Sequence, residues 1–107
     1  MFNNDLIETL KSIGDIGSDP KDLNITDATP IWKIGKIIEA DWYDPFVDVI
    51  PYIDAMCLIH SIDDDCIINQ NTYDGRTIIY IFLKNCKSWN GVVAKQIKPY
   101  LKQLIKY

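Results

Sequence analysis

At 107 residues with 48% hydrophobic side chains, the chain has the size and apolar content of one ordinary domain built round a single core. Its net charge of −4, 24% charged residues and twelve aromatic rings exclude a disordered segment, which needs low hydrophobicity and high net charge. The longest apolar stretches, residues 55–62 and 78–83, fall far short of the roughly 20 residues that span a bilayer, and no basic leader precedes an apolar run, so neither a membrane anchor nor export is expected.

The first amphipathic stretch predicts a helix from Asp5 to Ile13, with Asn4 as N-cap, an apolar face of Leu6, Ile7, Leu10 and Ile13, and Gly14 as its stop. Residues 14–29 hold two glycines, a proline and many capping side chains without a period, and read as a loop. Thr29 and Pro30 supply the cap and first position of a second helix with Ile31, Ile34 and Ile38 on one stripe, weakened by Gly35. Asp44 and Pro45 repeat that signal for a third helix carrying Phe46, Val49, Ile50, Ile53 and Cys57 at helical spacing, kinked at Pro51. Residues 56–62 suit helix or strand, after which Asp63, Asp64 and Asp65 turn the chain.

Asp74-Gly75, set between residues 66–73 and 76–83, predicts the two-residue turn of a β-hairpin, because this pair adopts positive φ angles readily. That register puts Tyr73 opposite Arg76, Asn71 opposite Ile78, Ile67 opposite Phe82 and Ile68 opposite Ile81. The second strand is apolar on both faces and calls for helices to cover it. The C-terminus predicts an amphipathic helix from Trp89 to Lys106, with Ser88 as N-cap, Val93, Ile97, Leu101 and Leu104 on one stripe, and a kink or break at Pro99. Lys95, Lys98, Lys102 and Lys106 form a second stripe. Together these elements make a single α+β domain over residues 1–107: N-terminal helices, an antiparallel hairpin or small sheet around Asp74-Gly75, and a C-terminal helix packed on it.

No catalytic constellation emerges, and the chain is expected to be non-enzymatic. The one histidine, His60, follows Cys57 by three residues, a spacing that lets a thiol and an imidazole share a helix face, but no third group orients the pair. Cys57, His60, Cys66 and Cys86 lack the paired spacing of a zinc knuckle, and Asp63 to Asp65 lacks the alternating ligands and glycine of a calcium loop, so no metal or other cofactor is expected. Three cysteines in a chain that does not need stapling read as reduced thiols in a cytoplasmic protein. Asn24-Ile25-Thr26 fits a glycosylation pattern that requires a secretory route. Among eleven bases Arg76 is the sole arginine, which disfavours nucleic-acid recognition; the lysine stripe is the feature that keeps it as an alternative.

Charge is divided along the chain. Residues 1–75 hold fifteen acids and four lysines, a balance of −11, whereas residues 76–107 hold seven bases and no acid. From Glu39 to Asp74 nine acids occur without a lysine or arginine. These acids either cap helices, shape turns and pair with the basic segment, or form a face that steers a basic partner, raising on-rates by about 10-fold to 1000-fold. The candidate partner-binding residues are Glu39, Asp41, Trp42, Tyr43, Asp44, Asp63, Asp64, Asp65, Tyr73 and Asp74. Trp42-Tyr43 reads first as core, and between Asp41 and Asp44 it also suits an aromatic anchor for a basic surface.

Length, acidity, scarcity of motifs and abundance of isoleucine, lysine and asparagine make the chain resemble the small acidic immunity proteins of bacterial toxin systems, including contact-dependent growth inhibition. Such proteins share no signature motif, so no residue role is transferred. The resemblance implies one-to-one binding to a basic toxin, a nuclease foremost because it must hold phosphates, at or near its active site and without a cofactor. A regulatory adaptor that uses the acidic and lysine-rich surfaces for two partners is the alternative.

Overall fold

The computed structural model describes residues 4–14, 16–17 and 19–106. Met1 to Asn3, where a leader was sought, lie outside the described residues, as do Asp15 and Ser18 of the 14–29 loop, and Tyr107. The elements run α1 (Asn4–Ile13), α2 (Ile31–Asp41), α3 (Ile50–Met56), β1 (Asp65–Ile68), β2 (Asn71–Asp74), α4 (Gly75–Lys84) and α5 (Val92–Leu104). The class is α+β, as the sequence predicts. Neighbouring elements pack in sequence order: α1 on α2, α2 on α3, α3 on α4 and on β1, and α4 on α5. Among the described residues, no helix is long and apolar enough to cross a membrane.

The first helix forms where expected, burying Leu6 and Leu10 and ending at Gly14, whose φ of +63° is one a side chain would resist. Lys33 Nζ, carried by buried Lys33 of α2, donates to the Gly14 carbonyl at 3.0 Å, placing a cation at the C-terminal end of α1. The loop that follows is tied to α5. Leu23 is buried; its N–H donates to Gln96 Oε1 at 2.8 Å, and Gln96 Nε2 donates to the Pro20 carbonyl at 2.7 Å.

The start of α2 departs from expectation. Pro30 takes the N-cap position and no side chain caps the helix; Thr29 Oγ1 accepts instead from the Thr26 N–H at 3.1 Å. The free Ile31 N–H finds the His60 carbonyl at 2.9 Å, so a distant loop closes the first turn. Gly35 is a packing requirement: a Cβ there would meet Cys57 N at 2.8 Å and Met56 C at 2.9 Å. The glycine lets α2 cross the end of α3.

The third helix is short and begins late. Asp44 and Pro45 lie in the connecting loop, and Pro51 occupies the first turn of α3, where its missing N–H costs no hydrogen bond and no kink arises. Val49 and Ile53 are buried, but Phe46 and Ile50, expected on the same core face, are exposed. Residues 57–64 are turns and loop, not a strand.

The hairpin is displaced. β1 pairs antiparallel with β2, with Asp65 opposite Asp74, Cys66 opposite Tyr73, Ile67 opposite Thr72 and Ile68 opposite Asn71. The turn is Asn69-Gln70, both at positive φ (51° and 74°), the signature of the two-residue hairpin loop. Asp74-Gly75 is the start of α4: Asp74 Oδ1 accepts from the Thr77 N–H at 2.8 Å as an N-cap, and a Cβ on Gly75 would lie 2.7 Å from Ile62 Cα. The segment expected as a second strand is therefore helical, and Ile78, Ile79 and Phe82 bury at the i, i+1, i+4 spacing of one helix face.

The last helix starts at Val92, after Gly91 with φ 111° and ψ −174°, later than the expected Trp89 with its Ser88 cap. It buries Val93, Ile97 and Leu101, runs through Pro99 without a break, and packs on α4 and α2 instead of the hairpin. Arg76 Nη1 donates to the carbonyl of Ile105 at the end of α5, so the sole arginine joins the start of one helix to the end of another.

Gln70→Gly tests the turn. A non-glycine residue in the left-handed region costs about 1–2 kcal/mol, partly offset because glycine loosens the unfolded chain by about 0.4–1 kcal/mol. The substitution is expected to raise stability by up to about 1 kcal/mol, read as a higher urea midpoint at unchanged slope.

Candidate protein-binding surface

Three aromatic residues from distant parts of the chain meet in the core. Trp42 stacks on Trp89 with centroids 6.1 Å apart and planes 18° apart, and Phe82 meets both edge-on at 6.2 and 5.9 Å. The Trp89 indole N–H donates to Asp41 Oδ2 at 2.7 Å. Burial raises the Asp41 carboxyl above its ordinary 3.8, and the indole bond partly offsets that rise. Of the Trp42-Tyr43 pair, the tryptophan is core at 7% exposure and the tyrosine stands out at 95%.

The other acids of the base-free stretch divide the same way. Asp64 Oδ2 accepts from the N–H groups of His60 at 2.8 Å and Ser61 at 3.0 Å, and those bonds, Ser61 foremost, hold its carboxyl below the usual range. Asp74 is held low by the Thr77 cap. Tyr73 is half-buried, with its ring edge-on to Tyr52 at 6.1 Å. Glu39, Asp44, Asp48, Asp54, Asp63 and Asp65 are exposed. Among the described residues, no side-chain hydrogen bond joins these nine acids to a C-terminal lysine, and Arg76, whose charge helps to hold Asp74 low, donates to the Ile105 carbonyl. Asp65 and Asp74 face each other across the hairpin, a like-charge pairing that weakens it.

The fold also exposes apolar side chains that the sequence reading did not place in a site. Phe46 and Val47 protrude from the turn before α3, Ile50 is partly exposed at its start, and Leu58 (76% exposed) and Ile67 (71%) stand beyond its end. Two shallow hollows flank the outer side of α3. Tyr43, Ile50 and Glu39 line one, Leu58, Pro51 and Ile67 line the other, and Asp54 borders both. The available signal was Pro51 itself, since a helix that starts with it leaves Phe46 and Val47 outside.

Little here suits covalent chemistry. Burial foremost, and then Glu39, push the Cys57 thiol up to about 11, so it stays protonated near neutral pH, and burial raises Cys86 as well. Among the described residues, no three histidine, cysteine or carboxylate side chains come together to hold a metal ion. On α5, Lys95 and Lys102 are exposed, and Lys106 follows beyond its end. Lys98 is half-buried with its ammonium 5.9 Å from the Trp89 ring centroid. Comparison with protein-family models, curated proteins and solved structures finds no match.

The Asp41–Trp89 bond gives a test with a definite sign. Asp41→Ala leaves a buried indole N–H without its acceptor and is expected to cost about 1–3 kcal/mol, whereas Asp41→Asn keeps an acceptor and should cost little. A carboxyl raised in the folded state keeps its proton longer than in the unfolded chain, so its contribution to stability falls as pH rises above 3.8 through the folded value. Asp64 and Asp74, held low, act oppositely: their contribution is complete above 3.8 and is lost as pH falls below it. Urea midpoints against pH should therefore lose the decline above pH 3.8 in Asp41→Asn and retain the acid-side loss.

Proposed function

We propose that this protein is a non-enzymatic, stoichiometric inhibitor that covers a basic protein with an acidic surface. Its partner is a toxin domain that cleaves nucleic acid, and its role is that of the small bacterial immunity proteins it resembles. The observation that carries this reading is the acidic stretch from Glu39 to Asp74: nine acids with no lysine or arginine among them, most facing outward and, among the described residues, none hydrogen-bonded to a C-terminal lysine or to Arg76. Uncompensated like charge raises the energy of the folded chain, and a cationic partner relieves it. Proteins that cut nucleic acid carry such cationic surfaces because they must hold phosphates. The competing nucleic-acid-binding role is weakened, because Arg76 is occupied at the Ile105 carbonyl and only lysines are left to contact phosphate.

Two measurements test the proposal. Titration against a basic nuclease domain captured with this protein from its native cells should extinguish that nuclease's activity at one equivalent; undiminished activity in excess inhibitor, or capture of no such nuclease, would reject the role. Neutralising Asp44, Asp48 and Asp54 to Asn, exposed acids whose side chains make no hydrogen bond among those described, should slow association about tenfold or more at low salt with dissociation little changed. Stopped-flow rates at two salt concentrations read this directly.

A further inference from the structure

Within the acidic stretch the structure separates two regions of different character. Around Asp63, Asp64, Asp65 and Asp74 the carboxylates are close in sequence or across the hairpin, and two of them are engaged by backbone N–H groups. Along the outer side of α3 the carboxylates alternate with large exposed apolar groups. Ile50, Asp54 and Leu58 follow one another at four-residue intervals, Tyr43 lies at one end, and Ile67 of β1 lies at the other. Glu39 lines the hollow at the Tyr43 end, with Lys36 near it in a neighbouring hollow, and no lysine or arginine occurs between residues 39 and 75.

We infer that the α3 strip is the recognition site, and that it takes an amphipathic segment of the partner, with lysine or arginine flanking large apolar side chains. The inference rests on the proposed function and narrows it from an acidic surface to one face. Charge complementarity selects the occupant: an uncharged apolar segment would desolvate Asp54, which borders both hollows, without a partner, and a purely cationic one would leave Tyr43, Leu58 and Ile67 uncovered. A segment carrying both satisfies both. The two hollows, sharing Asp54, provide seats for apolar side chains on either side of one cation. The lysines of α5 are the corresponding groups on this chain itself, which makes a second copy the occupant to be excluded.

The test uses the whole protein, isotopically labelled, with a synthetic leucine–lysine amphipathic helix as probe and a serine–lysine peptide of equal length and charge as control. The expected result is amide shift changes concentrated at residues 43–58 and 65–69, weaker binding of the control by about tenfold or more, and a similar loss in Leu58→Ser and Ile67→Ser. Both substituted side chains are exposed, so an unchanged spectrum of the free variants shows that they fold. Equal binding of both peptides, changes centred on residues 63–65 and 74, or no changes at all would overturn the inference; in each case inhibition of the nuclease in the stoichiometric titration would still stand by itself. Shifts at residues 43–58 that appear on concentrating the protein alone, with a rise in sedimenting mass, would also overturn it, in favour of self-association.

Discussion

The tertiary structure depends on the junction of Trp42, Phe82 and Trp89, fixed by the Trp89 indole bond to Asp41. These residues come from the end of α2, the middle of α4 and the segment before α5, so one cluster joins the two halves of the chain. Each aromatic pair contributes about 0.5–1.5 kcal/mol beyond simple burial. The hydrogen bond sets orientation, since an indole N–H in the core must find an acceptor. That requirement brings a carboxylate into a half-buried position and raises its pKa. It also fixes the direction of the chain at residue 42, so that the next side chain, Tyr43, points to solvent.

The division of the acids follows from the same economy of hydrogen bonds. Helix starts and turns leave N–H groups without partners, and Asp64 and Asp74 accept from those groups at the entrance to the hairpin and at the start of α4. An acid used in this way is held low in pKa and has its place in the fold. Asp54 and Glu39 have no such bond, and they line the hollows beside α3, where Tyr43, Ile50, Leu58 and Ile67 are exposed too. Surplus charge beside surplus apolar surface is a costly arrangement for an isolated chain, and association with a complementary surface offsets both terms.

Several features were legible from residues alone. The stripe of Leu6 and Leu10, the stop at Gly14 and the Val93, Ile97 and Leu101 face of α5 depend on local periodicity and backbone freedom, which a short window contains. Asp74-Gly75 was misleading because the same pair serves a hairpin turn or a helix start. Gly75 is packed against the Ile62 backbone, a contact made possible by a loop that no local pattern announces, and Asp74 is then aimed at the Thr77 N–H. With the turn moved to Asn69-Gln70, Ile78, Ile79 and Phe82 became a helix face although isoleucine-rich runs favour strands. Among the site candidates, the charge pattern marked the acidic stretch, but it did not separate Trp42 from Tyr43 or Asp64 from Asp65.

By itself the sequence determined the α+β class, the outer two helices, the absence of lysine and arginine between Glu39 and Asp74, and the imbalance between the acidic and basic parts of the chain. These follow from composition and from periods of a few residues. Tertiary structure alone decided which acids accept from N–H groups, which aromatic of an adjacent pair is buried, and that Ile50, Leu58 and Ile67 line hollows bordered by Asp54 of α3. The physical reason is that burial and hydrogen-bond partnership are set by groups tens of residues apart. The His60 carbonyl closes α2, the Asp41 carboxylate holds Trp89, and the close approach at Gly75 directs the chain into α4.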